Sequence, residues 1–186
     1  MKQTTTDFRG FTLIELLVVI TIIAILAGIL VPTIASAIKK AEIAKARSTM
    51  LAIKTAVEAY QSTYSKLPLW TSGDHGLGVG EGETGLDYDQ RIGLIRVLIA
   101  DVDTNPDSNP RKIVFLSADE VIPDDILKDP WDVNFNIWLD TNYDDITDVD
   151  GEDVRQTVVL RSLGPDTKLK TADDIYSYDR RLPTVL

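Results

Sequence analysis

The side chains of this chain that could do chemistry are nearly all carboxylates. Seven acids stand in the fourteen residues from Asp140 to Asp153, with no base among them. Within that run Asp140, Asn142 and Asp144 alternate as D-x-N-x-D, which places hard oxygens where a divalent cation could take them. A local cation site and a solvated hairpin tip are both open readings of it, because so many like charges repel without counter-ions. A second group of acids, Asp166, Asp173 and Asp174, lies near the C-terminus. One further acid stands apart: Glu15 is the only charge in the 28 residues from Phe11 to Ile38. A carboxylate in hydrocarbon needs a partner and marks a functional position by default. Catalytic constellations are missing by contrast. There is one histidine, His75, in a Gly-rich stretch, and no cysteine, so neither a nucleophilic triad nor a zinc site can be assembled. The Gly76-Leu77-Gly78-Val79-Gly80 pattern follows no strand and leads to no Lys-Ser/Thr, which argues against a phosphate loop. Enzyme is the weakest class.

The elements that must position these acids follow from pattern. As a helix, Phe11–Ile38 would be about 40 Å long, enough to cross a bilayer core of about 30 Å. It is too long for the apolar core of a cleaved secretory signal. Lys2 and Arg9 precede it, and the positive-inside rule keeps that end cytoplasmic. Beyond it Ile43, Ala46, Met50, Ile53, Val57, Tyr60 and Tyr64 recur every three or four residues, one apolar stripe on a continuing helix that Pro68 stops. The stripe suits either a coiled-coil seam or a face packed on a globular domain. Residues 71–90 read as a loop, Gln90–Ala100 as a short helix and Asn105–Pro110 as a turn. Lys112–Leu116 suits a strand or a packed loop. Phe135–Asp140 and Thr157–Ser162 predict an antiparallel pair, with Trp131 and Trp138 packing the sheet against the long helix. The net charge of −10 argues against nucleic acid as a partner and suits cation binding.

The segment Gly10-Phe11-Thr12-Leu13-Ile14-Glu15, behind a short polar leader with Lys2 and Arg9, resembles the prepilin signature of the type IV filament superfamily. The resemblance implies cleavage by a prepilin peptidase after Gly10 and N-methylation of Phe11. It gives Glu15 a role in assembly, pairing with the new amino terminus of a neighbouring subunit; a buried acid and a buried amine each need the other. Pro32 matches as well, since filament stems of this family often carry a proline there, where one hydrogen bond is lost and local melting is permitted. Cleavage would leave 176 residues with a net charge of −11, the leader removing Lys2 and Arg9 against Asp7 from a total of −10 over 186 residues. Many type IV pilins use a C-terminal disulfide and secretion pseudopilins often use calcium, so the lack of cysteine favours the latter.

Two further segments carry a resemblance to G-type major pseudopilins. Asp129-Pro130-Trp131-Asp132-Val133-Asn134-Phe135 is similar to their DPW segment, with Asp132 where that family often has glycine. Ser162-Leu163-Gly164-Pro165-Asp166 through Thr171-Ala172-Asp173-Asp174-Ile175 resembles their calcium loop. The resemblance implies a site built from Asp166, Asp173 and Asp174 carboxylates, the Ser162 hydroxyl and the main-chain carbonyls of Leu163 and Leu169. The Asp140, Asn142 and Asp144 group also resembles the start of an EF-hand loop. Asp145 replaces the required glycine and Gly151 stands at the twelfth position, so a full EF-hand is excluded and only a local second site is left.

The expected architecture is α+β, a pilin fold with a long N-terminal helix, transmembrane and then amphipathic, on a small C-terminal antiparallel sheet with calcium-binding loops. The expected divisions are a leader (1–10), an apolar stem (11–38), its amphipathic continuation (39–66) and a periplasmic or extracellular globular domain (67–186). The expected function is a structural subunit polymerising into a type II secretion pseudopilus for protein export. Its expected partners are copies of itself, minor pseudopilins, the prepilin peptidase and an inner-membrane assembly platform; it would sit in the inner membrane before assembly and in a periplasmic or extracellular filament after. A surface type IV pilus subunit, for adhesion or motility, is the alternative within the class. A monomeric membrane-anchored calcium-binding domain is the alternative outside it.

Overall fold

The computed structural model describes residues 11–68, 85–101, 106–117 and 128–179. The leader with Gly10, and the Gly-rich stretch with His75, lie outside the described residues. The chain divides into two units, Met1–Ala41 and Glu42–Leu186.

Helix α1 (Leu13–Tyr64) runs for 52 residues through both. Thr12 and Glu15 begin it with a capping box. The Glu15 amide donates to the Thr12 hydroxyl at 3.3 Å, and the Thr12 amide and hydroxyl donate to Glu15 Oε2 at 2.9 and 2.7 Å. In the apolar segment the Thr21 and Thr33 hydroxyls donate to the carbonyls one turn back, of Leu17 and Ile29, so neither needs an outside partner. The backbone stays helical through Pro32. The large apolar residues from Phe11 to Ile38 are 46–85% exposed. Among the described residues of the first unit, nothing covers them. The helix ends where Ser65 turns left-handed (φ 52°), two residues before Leu67-Pro68.

In the second unit the three–four stripe of α1 becomes core. Ala46, Met50, Ile53, Val57 and Tyr60 are buried, with Ile43 and Tyr64 packed beside them. The stripe is thus the face packed on the globular domain. Against it lie α2 (Tyr88–Leu98), which Asp87 and Gln90 begin with a second capping box, and a three-stranded sheet. The sheet is antiparallel, in order β1–β4–β5, from β1 (Asn136–Leu139), β4 (Val158–Ser162) and β5 (Ile175–Tyr176). The intervening β2 (Thr147–Val149) and β3 (Glu152–Val154) form a hairpin.

Side chains alternate across β1 and β4, and both faces are covered. Ile137, Leu139, Val158 and Leu160 join the main core with α1 and α2. Trp138 and Val159, paired in register, point the other way and pack under Val149 and Val154 of the hairpin. This corrects the expectation that Trp138 packs sheet against long helix: it is one residue out of phase with Ile137, so the pleat turns it to the opposite face. Trp131, half-buried, does pack on the main core. Lys112–Leu116 is a packed loop, with the Phe115 and Leu116 amides donating to the Leu98 carbonyl at 2.8 and 3.1 Å. Buried Asn109 holds that loop by donating to the Val97 and Ile113 carbonyls and accepting from Tyr64 and the Ile113 amide.

Candidate functional site

Three places carry the acids singled out by sequence. At the first, Phe11 and the Glu15 carboxylate are exposed at the start of α1. The carboxylate's present partner is Thr12, three residues back. The T-x-x-E spacing that produces this cap is itself a sequence signal. Among the described residues α1 is the one helix long and apolar enough to cross a membrane.

The second place is the segment from Asp140 to Ile146. Its carboxylates are taken up locally. Buried Asp140 accepts the amides of Asp144 and Asp145 at 3.3 and 2.8 Å, and Asp144 accepts the amide of Ile146 at 2.8 Å. Asn142 accepts the Asp144 amide and donates to the Asp144 carboxylate. Asp145, standing where a cation loop would have glycine, does take the left-handed conformation (φ 64°). The segment lines a cavity of about 230 Å³ together with Trp138, Asp148 and Asp153.

The third place is the loop from Leu163 to Asp174, between β4 and β5. Its two ends touch at Gly164. A Cβ there would fall 2.3 Å from the Asp173 carbonyl oxygen, and the residue is left-handed (φ 69°), so only glycine fits. Thr167 and Lys170 are left-handed as well (φ 55° and 60°). Asp166, Asp173 and Asp174 are brought together around the Thr171 hydroxyl, with carboxylate oxygens at 3.3, 2.8 and 3.2 Å from it. One hydroxyl proton serves only one of the three. Main-chain amides add further bonds, Asp166 to Asp173, Lys168 to Asp166 and Lys170 to Asp174, at 2.9–3.0 Å. The Thr171 hydroxyl holds the Asp173 carboxyl below its usual range; partial burial opposes this and the Asp166 amide assists.

Ser162 belongs to a neighbouring arrangement. Its buried hydroxyl donates to Asp129 Oδ2 at 2.6 Å and accepts the Gly164 amide at 3.1 Å. Asp129 Oδ1 in turn accepts the amides of Trp131 and Val133, both at 3.0 Å. Asp132 is left-handed (φ 65°), the conformation for which a glycine at that position is suited, so the turn keeps its shape. Leu163 is buried and Leu169 exposed. Thr171 and Asp129 fall inside segments singled out by sequence, which gave neither of them a role. Their hydroxyl and carboxylate are recognisable only once the turns are folded.

The N-terminal segment finds its counterpart among known proteins. Residues 6–31 match the family model described as the prokaryotic N-terminal methylation motif. Over this segment the chain is similar to proteins of the type IV filament superfamily. Its relatives include the type II secretion system core protein G of Dickeya chrysanthemi, 37% identical over 65 residues, or 35% of this chain and 42% of that protein. Core protein G of Escherichia coli K12 is 38% identical over 65 residues, 35% of this chain and 45% of its own length. Prepilin peptidase-dependent protein D of Escherichia coli K12 is 41% identical over 69 residues, 37% of this chain and 47% of its length. The chain thus spans less than half the length of these relatives. No solved structure matches it. The long apolar helix followed by a small antiparallel sheet is the α+β pilin architecture expected of a filament subunit.

Among the described residues, no three His, Cys, Asp or Glu side chains converge as a ready-made metal cage. The Asp166, Asp173 and Asp174 oxygens meet through a hydroxyl instead, a hard-oxygen donor set without nitrogen or sulfur. That donor chemistry fits calcium, which also accepts hydroxyls and main-chain carbonyls.

Proposed function

We propose that this chain is a structural subunit that polymerises into a type II secretion pseudopilus serving protein export. The observation that carries this reading is an uncovered apolar helix with one carboxylate, behind a methylation motif. Apolar surface of that extent requires cover by lipid or by other chains. A prepilin peptidase would cut after Gly10 and Phe11 would be methylated, leaving a new amine four residues from Glu15. Before assembly the stem would lie in the inner membrane with the globular domain on the periplasmic side. In the filament, stems of successive copies would bury one another and the Glu15 carboxylate would pair with a neighbour's amine. Pro32 would let the stem yield locally. An inner-membrane platform and minor pseudopilins would be the remaining partners, and the work would be mechanical, with no catalysis in this chain.

Calcium belongs to the same proposal. Asp166, Asp173 and Asp174 would hold it, with the Leu163 and Leu169 carbonyls and the Ser162 hydroxyl oxygen, whose proton can stay on Asp129. Bound there, the ion would neutralise the loop's carboxylates and stabilise the folded state by mass action. A local second site would use Asp140, Asn142 and Asp144, whose oxygens, like those of the first site, also accept main-chain amides.

The test must separate Glu15 as assembly partner from Glu15 as helix cap. Glu15→Ala removes both roles, and Thr12→Ala removes the cap alone. Filament yield, scored by electron microscopy of sheared cells, should vanish in Glu15→Ala and persist in Thr12→Ala. Equal loss in both would reduce Glu15 to a cap. Normal filaments in Glu15→Ala would end the polymer reading and leave a membrane-anchored monomer. The second reading, a subunit of a surface type IV pilus, would be favoured by long surface fibres in the native host.

A further inference from the structure

The β2–β3 hairpin turns through Asp150-Gly151, both left-handed (φ 58° and 83°), between the paired residues Val149 and Glu152. Asn-Gly would make this two-residue turn equally well, so the backbone alone does not call for a charge at position 150. Yet the Asp150 side chain is 8% exposed and meets the fully buried guanidinium of Arg161 at 2.5 Å. The Arg161 guanidinium carbon lies 4.9 Å from the Trp138 ring centre and 5.9 Å from that of Tyr176. The second Asp150 oxygen is 3.9 Å from the Lys170 ammonium. Arg161 stands on β4 one residue before Ser162, at the entrance to the Leu163–Asp174 loop. Lys170 stands inside the loop, and its amide donates to the Asp174 carboxylate. The carboxylate at the hairpin tip therefore grips the loop at its root and near its far end.

A buried ion pair is poor value for stability alone, because desolvation consumes most of its attraction. Losing one partner is a different matter, since it strands a buried charge. We propose that Asp150 is a positioning residue for the Leu163–Asp174 loop, keeping Asp166, Asp173 and Asp174 gathered by holding Arg161 and Lys170 from the neighbouring hairpin. This deepens the cation reading of the loop, but only its calcium arm rests on that reading. The two acidic segments, separate in sequence, then act as one unit.

The full chain in detergent, with calcium chelated, provides the test. Lys168 lies in the loop and Lys112 outside it, and both are exposed to trypsin. In Asp150→Asn, which keeps the turn, cutting at Lys168 relative to Lys112 should rise about tenfold as local opening becomes easier. An unchanged ratio in a folded variant overturns the proposal. Where Asp150→Asn raises cutting at both sites alike, Arg161→Lys decides by the same ratio: a rise upholds the coupling, and wild-type behaviour overturns it. Adding calcium gives the second arm. Protection of Lys168 in the wild type that is about tenfold weaker in Asp150→Asn supports coupling to the cation site. If calcium protects neither protein while the chelated ratio still rises, the cation reading fails and the positioning role stands.

Discussion

The two units of this chain treat apolar surface in opposite ways. In the second, the stripe from Ala46 to Tyr60 is buried against α2 and the sheet, and β1 and β4 are buried throughout. In the first, the same helix offers Leu, Ile and Val on every side and buries none of them. One helix thus changes its periodicity from all-round apolar to a single stripe, and with it what it must bind. The all-round segment needs lipid or other chains; the striped segment finds its partner in its own chain. Stability and assembly should therefore fail separately.

Substitutions can break that separation or sharpen it. The largest loss of stability is expected from Trp138→Ala, which empties the space under the hairpin and removes the nearer of the two rings beside Arg161, at about 3–5 kcal/mol in urea denaturation. Asp129→Ala should come next. It leaves the Trp131 and Val133 amides and the Ser162 hydroxyl without their acceptor, a loss of about 2 kcal/mol. The pH response of Tyr60 is of similar size and has a defined sign. Burial, with Tyr64 and Tyr143 adding to it, pushes its phenol up to about 12 from a usual value near 10. The folded state thus favours the neutral phenol, whose hydroxyl donates to the Ser108 carbonyl. Its contribution is complete below about pH 10 and declines by about 1.4 kcal/mol per pH unit as pH rises through about 12. Tyr60→Phe should flatten that alkaline limb in denaturant melts. Smallest of all, Glu15→Ala should shift the unfolding midpoint of the globular unit by less than about 0.5 kcal/mol, even as filaments are lost. A larger shift would mean that the two units are not independent in stability.

Much of this was legible in sequence, and the failures have a common cause. Three–four spacing picked out the core face of α1, and alternation picked out β1 and β4, because both are local periodicities. The prepilin segment was legible as a string of residue types at fixed spacing. Both capping boxes, Thr12–Glu15 and Asp87–Gln90, were also local and were passed over for the louder apolar pattern beside them. Asp150-Gly151 is a strong hairpin signal that was hidden within a run of acids. The face of Trp138, the grip of Asp150 on Arg161 and the clamp of Asp129 on Ser162 were beyond reach. Each depends on which strands become neighbours, and residues 129 and 162 show no spacing rule that would pair them.

The contact between Gly164 and the Asp173 carbonyl closes residues 165–172 into a ring anchored at its neck. Such a ring can take added residues at its exposed tip, between Lys168 and Leu169, while Asp166, Lys170 and Thr171 keep their partners. Lengthening it would cost little beyond chain-closure entropy, about 0.6 kcal/mol for each doubling, provided the neck is preserved. Reactive tags or recognition peptides inserted there would thus be displayed at a fixed point on the domain while the sheet beneath keeps its register.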